Sequence, residues 1–200
     1  MLIEKCWAKV YGSYQAIDAG TPTEGFRALT GAPSEYVLSE TFEEQKKLYS
    51  QLEEAYEKKH VVTASGSKYL NQMSENEQNK IGLISGHAYS FLKFLKINGE
   101  TIVKMRNPWG KKIWLGEWSF NSSKWTKPLR DKYNYNFQPD DGSFYMPWEM
   151  FIKYFHSFVF CRLDPTYIHT SFKLKPKLHK SEYLRMVVTE EGKYDIGMYQ

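Results

Sequence analysis

A chain of 200 residues with 42% hydrophobic and 16% aromatic content can build one folded core, with room for part of a second. Its net charge of +4, from 27 basic and 23 acidic residues spread along the chain, lacks the clustered Lys and Arg that nucleic-acid binding wants. Two cysteines, Cys6 and Cys161, exclude a disulfide framework and any paired metal-ligand spacing, which points to a reducing, cytoplasmic setting. No apolar run has the length of a membrane span, and the first five residues lack the basic start and apolar stretch of a secretory signal.

In chain order, Leu2, Ile3, Cys6, Trp7, Val10 and Tyr11 fall at helical spacing and predict a helix over 2–11, ended by Gly12, with Cys6 as a structural cysteine on its buried face. Residues 12–40, rich in Gly, Thr and Pro, read as ordered loop. Thr41-x-x-Glu44 is a capping box that opens a helix over 42–59, with Leu48, Leu52, Ala55 and Tyr56 inward. The period then changes: Val61–Ala64, His87–Ile97 and Thr101–Arg106 read as strands, and Asn98-Gly99 is a hairpin signal. Residues 66–80 are polar and aperiodic and read as a mobile loop.

Trp114, Trp118 and Trp125 fall in a loop-rich stretch running to Gly142. Phe144–Met146 is a short strand, and Pro147 opens a helix over 148–155 with Met150, Phe151, Tyr154 and Phe155 inward. Ser157–Leu163 is a last strand that takes Cys161 into the core. Thr170–Leu174, Tyr183–Thr189 and Tyr194–Tyr199 look like further strands, so residues 166–200 read as the start of a second, incomplete β domain. The expected class is α+β, dominated by antiparallel strands.

Two segments carry chemistry: Gly86-His87-Ala88-Tyr89-Ser90 and, twenty residues after His87, Arg106-Asn107-Pro108-Trp109-Gly110. Alone, a strand histidine is more often a packed core residue and Asn-Pro-Trp-Gly more often a turn. At the ends of neighbouring strands, the Asn107 amide can hold the His87 imidazole in one tautomer, as a general base and acid for a thiol nucleophile requires. Pro108 fixes the backbone, Trp109 covers the pair from water, and Gly110 lets the chain turn away. An ideal two-residue turn at Asn98-Gly99 sets Ser90 opposite Asn107, in the wrong register for that contact. The pairing therefore predicts a longer loop or a bulge in the hairpin.

These segments resemble the calpain family of papain-like cysteine proteases, in the subdomain that supplies histidine and asparagine. Leu2-Ile3-Glu4-Lys5-Cys6-Trp7-Ala8-Lys9-Val10-Tyr11-Gly12-Ser13-Tyr14 is similar to the family's Leu-Glu-Lys-Ala-Tyr-Ala-Lys-x-x-Gly-Ser-Tyr helix. Thr23-Glu24-Gly25-Phe26 with Leu29-Thr30-Gly31, the His87 and Asn107 motifs, and Asp141-Gly142-Ser143-Phe144-Tyr145-Met146 complete the likeness over residues 2–165. It implies an antiparallel, barrel-like half of a papain-like fold with flanking helices, over 1–165.

The resemblance also implies roles. His87 would be the general base and acid, Asn107 its orienter and Trp109 their shield, while Gly20 and Gly86 would hold an extended polypeptide substrate by their backbones. The family's nucleophile, in Gly-Asp-Cys-Trp-Phe, belongs to a preceding subdomain that this chain is expected to lack. Calpains bind calcium in this half through carboxylates and carbonyls of two loops. Here Ile113 and Phe120 occupy two carboxylate positions of the first loop, and Asp141 remains in the second with Ser143 at the next acidic position. Calcium binding is therefore expected to be weak or absent. The reading is an incomplete calpain-like endopeptidase for intracellular limited proteolysis. The alternatives are a catalytically inactive, calpain-derived peptide-binding module and carbohydrate binding through an exposed Trp cluster at 109–125.

Overall fold

The computed structural model describes residues 2–135, 141–168, 170, 183, 185–192 and 194–196. Six strands form one open antiparallel sheet in the order β1-β6-β2-β3-β4-β5. They are β1 (Ser34–Leu38), β2 (Val61–Gly66), β3 (Ala88–Ile97), β4 (Glu100–Arg106), β5 (Ser143–Pro147) and β6 (Phe155–Cys161). The helices are α1 (Leu2–Tyr11), α2 (Pro22–Thr30), α3 (Phe42–Glu57), α4 (Lys68–Gln72), α5 (Glu75–Ile81), α6 (Lys127–Lys132) and α7 (Trp148–Tyr154), with a 3-10 turn at Gln15–Ile17. The α+β class is as the sequence implies. The sheet does not close on itself, and β1 and β5 form its edges.

The sheet packs on both faces. Val103 and Met105 of β4 point to one face and Ile102 to the other, as strand alternation requires. On the first face, Leu48, Leu52 and Ala55 of α3 and Phe151 and Tyr154 of α7 pack against Tyr89, Phe91, Phe144 and Phe158. Burying a side chain such as Leu52 completely stabilises by about 2 kcal/mol. The second face carries a smaller cluster of Ile97, Ile102, Trp118, Trp125 and Tyr145. Its tryptophans are tied down by their N–H groups: Trp118 Nε1 donates to Glu100 Oε2 at 2.9 Å and Trp125 Nε1 to the Trp118 carbonyl at 2.8 Å. Trp114, Trp118 and Trp125 are all buried, so of the tryptophans at 109–125 Trp109 alone is exposed and they form no exposed cluster for carbohydrate binding.

Three expectations are corrected. Within 12–40, read as loop, Pro22–Thr30 form α2, where Thr21 caps the start and Gly31, at φ 68°, ends it, and Ser34–Leu38 form β1. Residues 66–80 are the end of β2 and two short helices, not a loop. Ser67 caps α4, and the Ser74–Glu77 capping box starts α5. Finally, α1 forms over its expected residues but buries only Ala8, so Cys6 is exposed. Cys161 is buried as expected. Most of Thr170–Leu174 and part of the two later stretches lie outside the described residues, and the described residues among 183–196 carry no helix or strand.

Candidate active site

The hairpin register decides whether His87 and Asn107 can meet. Asn98 and Gly99 both have positive φ, at 50° and 83°, and make the two-residue turn that Asn-Gly favours. From Ile97↔Glu100 to Lys93↔Lys104 the strands follow that turn. The register then shifts at Leu92, so Phe91 faces Met105 and Ser90 faces Arg106. The turn is thus ideal and the predicted bulge is real. One extra residue swaps the inward face, which is why Phe91 and Phe94, three apart, meet edge to face with centroids 5.1 Å apart. The shift brings His87 and Asn107 to the same side of the sheet as Tyr89 and Met105.

His87 Nε2 lies 2.8 Å from Asn107 Oδ1. The surroundings leave no freedom in how that bond is made. The Trp109 backbone N–H can only donate, and it reaches Asn107 Oδ1 at 3.0 Å. The carbonyls of Lys111 and Lys112 can only accept, and they take both Asn107 Nδ2 protons at 2.6 and 2.9 Å. The amide orientation is therefore fixed, Oδ1 accepts, and Nε2 must carry the proton. Nδ1 is left as the basic nitrogen, with no hydrogen-bond partner among the described residues.

The loop after β4 is shaped to hold this amide. Trp109 N–H to Oδ1 closes an Asx turn around Pro108, and Gly110 N–H donates to the Asn107 carbonyl at 3.0 Å. The Asn107 N–H in turn donates to the Gly142 carbonyl at 2.9 Å. Gly142 has φ +72°, and a Cβ there would lie 2.2 Å from the Asn107 carbonyl oxygen. Only glycine fits. Asn107 is 0% exposed, whereas Trp109 is 58% exposed and its indole lies 4.2 Å, centroid to centroid, from the imidazole. One indole face covers His87, and the ring remains open to solvent beyond it.

Tyr89 is a supporting residue that sequence reasoning passed over, although it stands two positions from His87 and so on its face. Its ring meets the imidazole edge-on at 4.9 Å, and its hydroxyl accepts the Ile84 N–H at 2.9 Å. Burial pushes its pKa up to about 12, so the phenol stays neutral. The roles of Lys111, Lys112 and Gly142 act through backbone atoms and leave no side-chain signal to read.

The other expected site residues lie apart. Gly86, at φ 62°, is exposed beside His87, and a Cβ there would meet nothing within 4 Å. Gly20 lines a separate groove between α1 and α2, with Trp7, Tyr11, Thr21 and Glu24. Asp141 turns its carboxylate on its own loop, where Ser143 N–H donates to Oδ1 at 2.6 Å and Ser143 Oγ to Oδ2 at 2.9 Å. Ile113 packs partly buried against the main core. Cys161 pairs with Val61, whereas Ala88, next to His87, pairs with Ser65, so the buried thiol lies about 13 Å further along the sheet. Cys6 is exposed on α1.

An imidazole locked into one tautomer by a buried carboxamide defines the histidine–asparagine arm of a papain-type cysteine peptidase. The calpain family cysteine protease model matches residues 1–162, and the chain belongs to that family. It is similar to the calpain-type cysteine protease ADL1 of Oryza sativa subsp. japonica, 31% identical over 170 residues that cover 82% of this chain and 8% of the relative. Calpain-5 of Rattus norvegicus is 30% identical, with 85% and 29% covered. Calpain-9 of the same species is 31% identical, with 92% and 27% covered. The chain thus spans less than a third of these relatives' length.

Proposed function

We propose that this chain is the histidine- and asparagine-bearing half of a calpain-type cysteine endopeptidase, whose nucleophilic cysteine comes from a segment outside these 200 residues. The observation that carries the reading is the His87–Asn107 bond, with Nε2–H fixed and Nδ1 free. Nδ1 accepts the thiol proton, the thiolate attacks the scissile carbonyl, and the imidazolium returns that proton to the departing amine as the C–N bond breaks. Water, deprotonated by the same nitrogen, then hydrolyses the thioester. Asn107 holds the ring, Trp109 limits water at the hydrogen bond, and Gly20 and Gly86 hold extended substrate through their backbones.

Neither cysteine suits the nucleophile's place, one because it is buried at the end of β6, beside Val61 and away from His87, and the other because it stands exposed on α1. Calcium fits this half poorly. Asp141 has both oxygens engaged by Ser143, and Ile113 and Phe120 offer no carboxylate, so no step runs through the ion. A reducing, cytoplasmic setting belongs to the same proposal. So does the reading of residues 166–200 as the start of a further β domain.

The test has two arms. The 200 residues alone should show no thiol-dependent cleavage of a fluorogenic peptide. The protein extended by the preceding part of its transcript should cleave it, with kcat falling about a hundredfold or more in His87→Ala. Activity of the short chain that Cys6→Ser abolishes would overturn the assignment. A transcript with no upstream cysteine-bearing segment would replace it with the inactive peptide-binding module.

A further inference from the structure

A cavity of about 270 Å³ opens between the end of β1, the starts of α3 and α4, and the α7–β6 junction. Ser39, Glu40, Lys68, Tyr69, Lys153 and His156 are among its walls. It lies at the same end of the sheet as His87, since Gly66 pairs with Phe155 and Ser65 with Ala88, but it shares no wall residue with the peptidase site.

Its polar groups are unbalanced in a definite way. Ser39 is 2% exposed and its backbone N–H donates to the His156 carbonyl at 2.8 Å, yet its Oγ is buried without a partner. His156 Nδ1 is buried without a partner too, while Nε2 lies 3.7 Å from Glu40 Oε1. Glu40 is also held by Lys68, with Nζ to Oε1 at 3.0 Å. Lys153 has no carboxylate partner among the described residues and rests its ammonium 4.7 Å from the Tyr69 ring centroid. A buried hydroxyl or imidazole nitrogen left unpaired costs about 1–3 kcal/mol, so a native cavity of this kind calls for a polar occupant.

Donors set the occupant's character. With Glu40 engaged by Lys68 and facing His156 Nε2, the groups left to the cavity include the Ser39 hydroxyl, His156 Nδ1, the Gln45 amide and the Lys153 cation. Ser39 and Lys153 can donate, whereas His156 Nδ1 accepts while Nε2–H faces Glu40 and donates only from the doubly protonated ring; the two lysines outweigh the single carboxylate. A small anion with several acceptor oxygens complements such a set, and a phosphate group carries three or more. We propose that this cavity is a phosphate-binding site, filled by inorganic phosphate or by the phosphate of a phosphorylated side chain. Ser39 supplies a hydrogen bond there, Lys153 the charge, and His156 Nδ1 accepts a hydrogen bond from the phosphate's own hydroxyl.

Thermal unfolding and calorimetric titration of the chain test this with inorganic phosphate, a phosphoserine peptide, its unphosphorylated form, and sodium chloride at matched ionic strength. The expected result is saturable binding of phosphate, a rise in Tm that chloride does not give, and affinity weakened about tenfold or more in Lys153→Met. Tighter binding of the phosphopeptide than of the free ion would assign the source to a protein partner, and the reverse to the free ion. Ser39→Ala separates a ligand role from a structural one. The hydroxyl has no partner in the free protein, so the variant should fold with unchanged or higher Tm while losing most of the phosphate response. An equal Tm rise in wild type, Ser39→Ala and Lys153→Met, or no saturable binding by either phosphate source, would overturn the site.

Discussion

Two polar corners stand at one end of the sheet and differ in how completely they are paired. Around Asn107 each amide atom has its partner: Oδ1 takes two donors and Nδ2 gives two protons to carbonyls. Around Ser39 and His156, two buried atoms have none. A saturated buried network has a single arrangement and so fixes a ring in place, whereas an unsaturated one keeps capacity for something that arrives later. The saturated corner spares one nitrogen, Nδ1 of His87, the atom to which the proposed peptidase reading assigns proton transfer.

Substitutions can break the saturated corner in graded steps. Gly142→Ala should be the most damaging, because the new Cβ meets the Asn107 carbonyl at 2.2 Å on a backbone at φ +72°. A loss of about 3 kcal/mol or more is expected in urea unfolding. Asn107→Ala leaves the Trp109 N–H and the Lys111 and Lys112 carbonyls without their side-chain partner, and should cost about 2–3 kcal/mol by the same measurement.

A pH series sharpens the comparison further. The Tyr89 pKa is raised to about 12, chiefly by burial, against an ordinary value of 10.0. A raised folded-state pKa means that the neutral phenol's contribution is complete below pH 10 and is lost as pH climbs toward 12. Unfolding free energy should fall across that window, and Tyr89→Phe should flatten the slope; an unchanged slope would show that another group governs it. At the unsaturated corner, Ser39→Ala removes an unpaired hydroxyl and should leave stability unchanged or raise it by about 1 kcal/mol without phosphate, the smallest change of the series.

How much of this was legible follows from what each part is made of. The α3 helix announced itself through its Thr41–Glu44 box and the Leu48, Leu52, Ala55 face, and it forms where expected. By contrast, α2 buries no residue and α5 buries none, so neither has an apolar period to read. Their only signals are punctuation: Thr21-Pro22 with Gly31, and Ser74 with Glu77. The His87–Asn107 pair was legible as chemistry, and the bulge followed from demanding that the two meet. The backbone carbonyls that orient Asn107 were not legible, because a main-chain atom has no letter of its own. The exposure of Cys6 was missed for another reason, since helical spacing marks a stripe without saying whether anything covers it.

The extra residue at Leu92 divides the hairpin into a lower part that feeds Tyr89 and Phe91 to one core and a tip that feeds Leu95 and Ile97 to the other. Chain length in this hairpin is therefore counted by parity between residues 87 and 92 and hardly at all at Asn98-Gly99. Loops can lengthen freely at the far end, while a single residue gained or lost near the middle would turn the imidazole to the opposite surface.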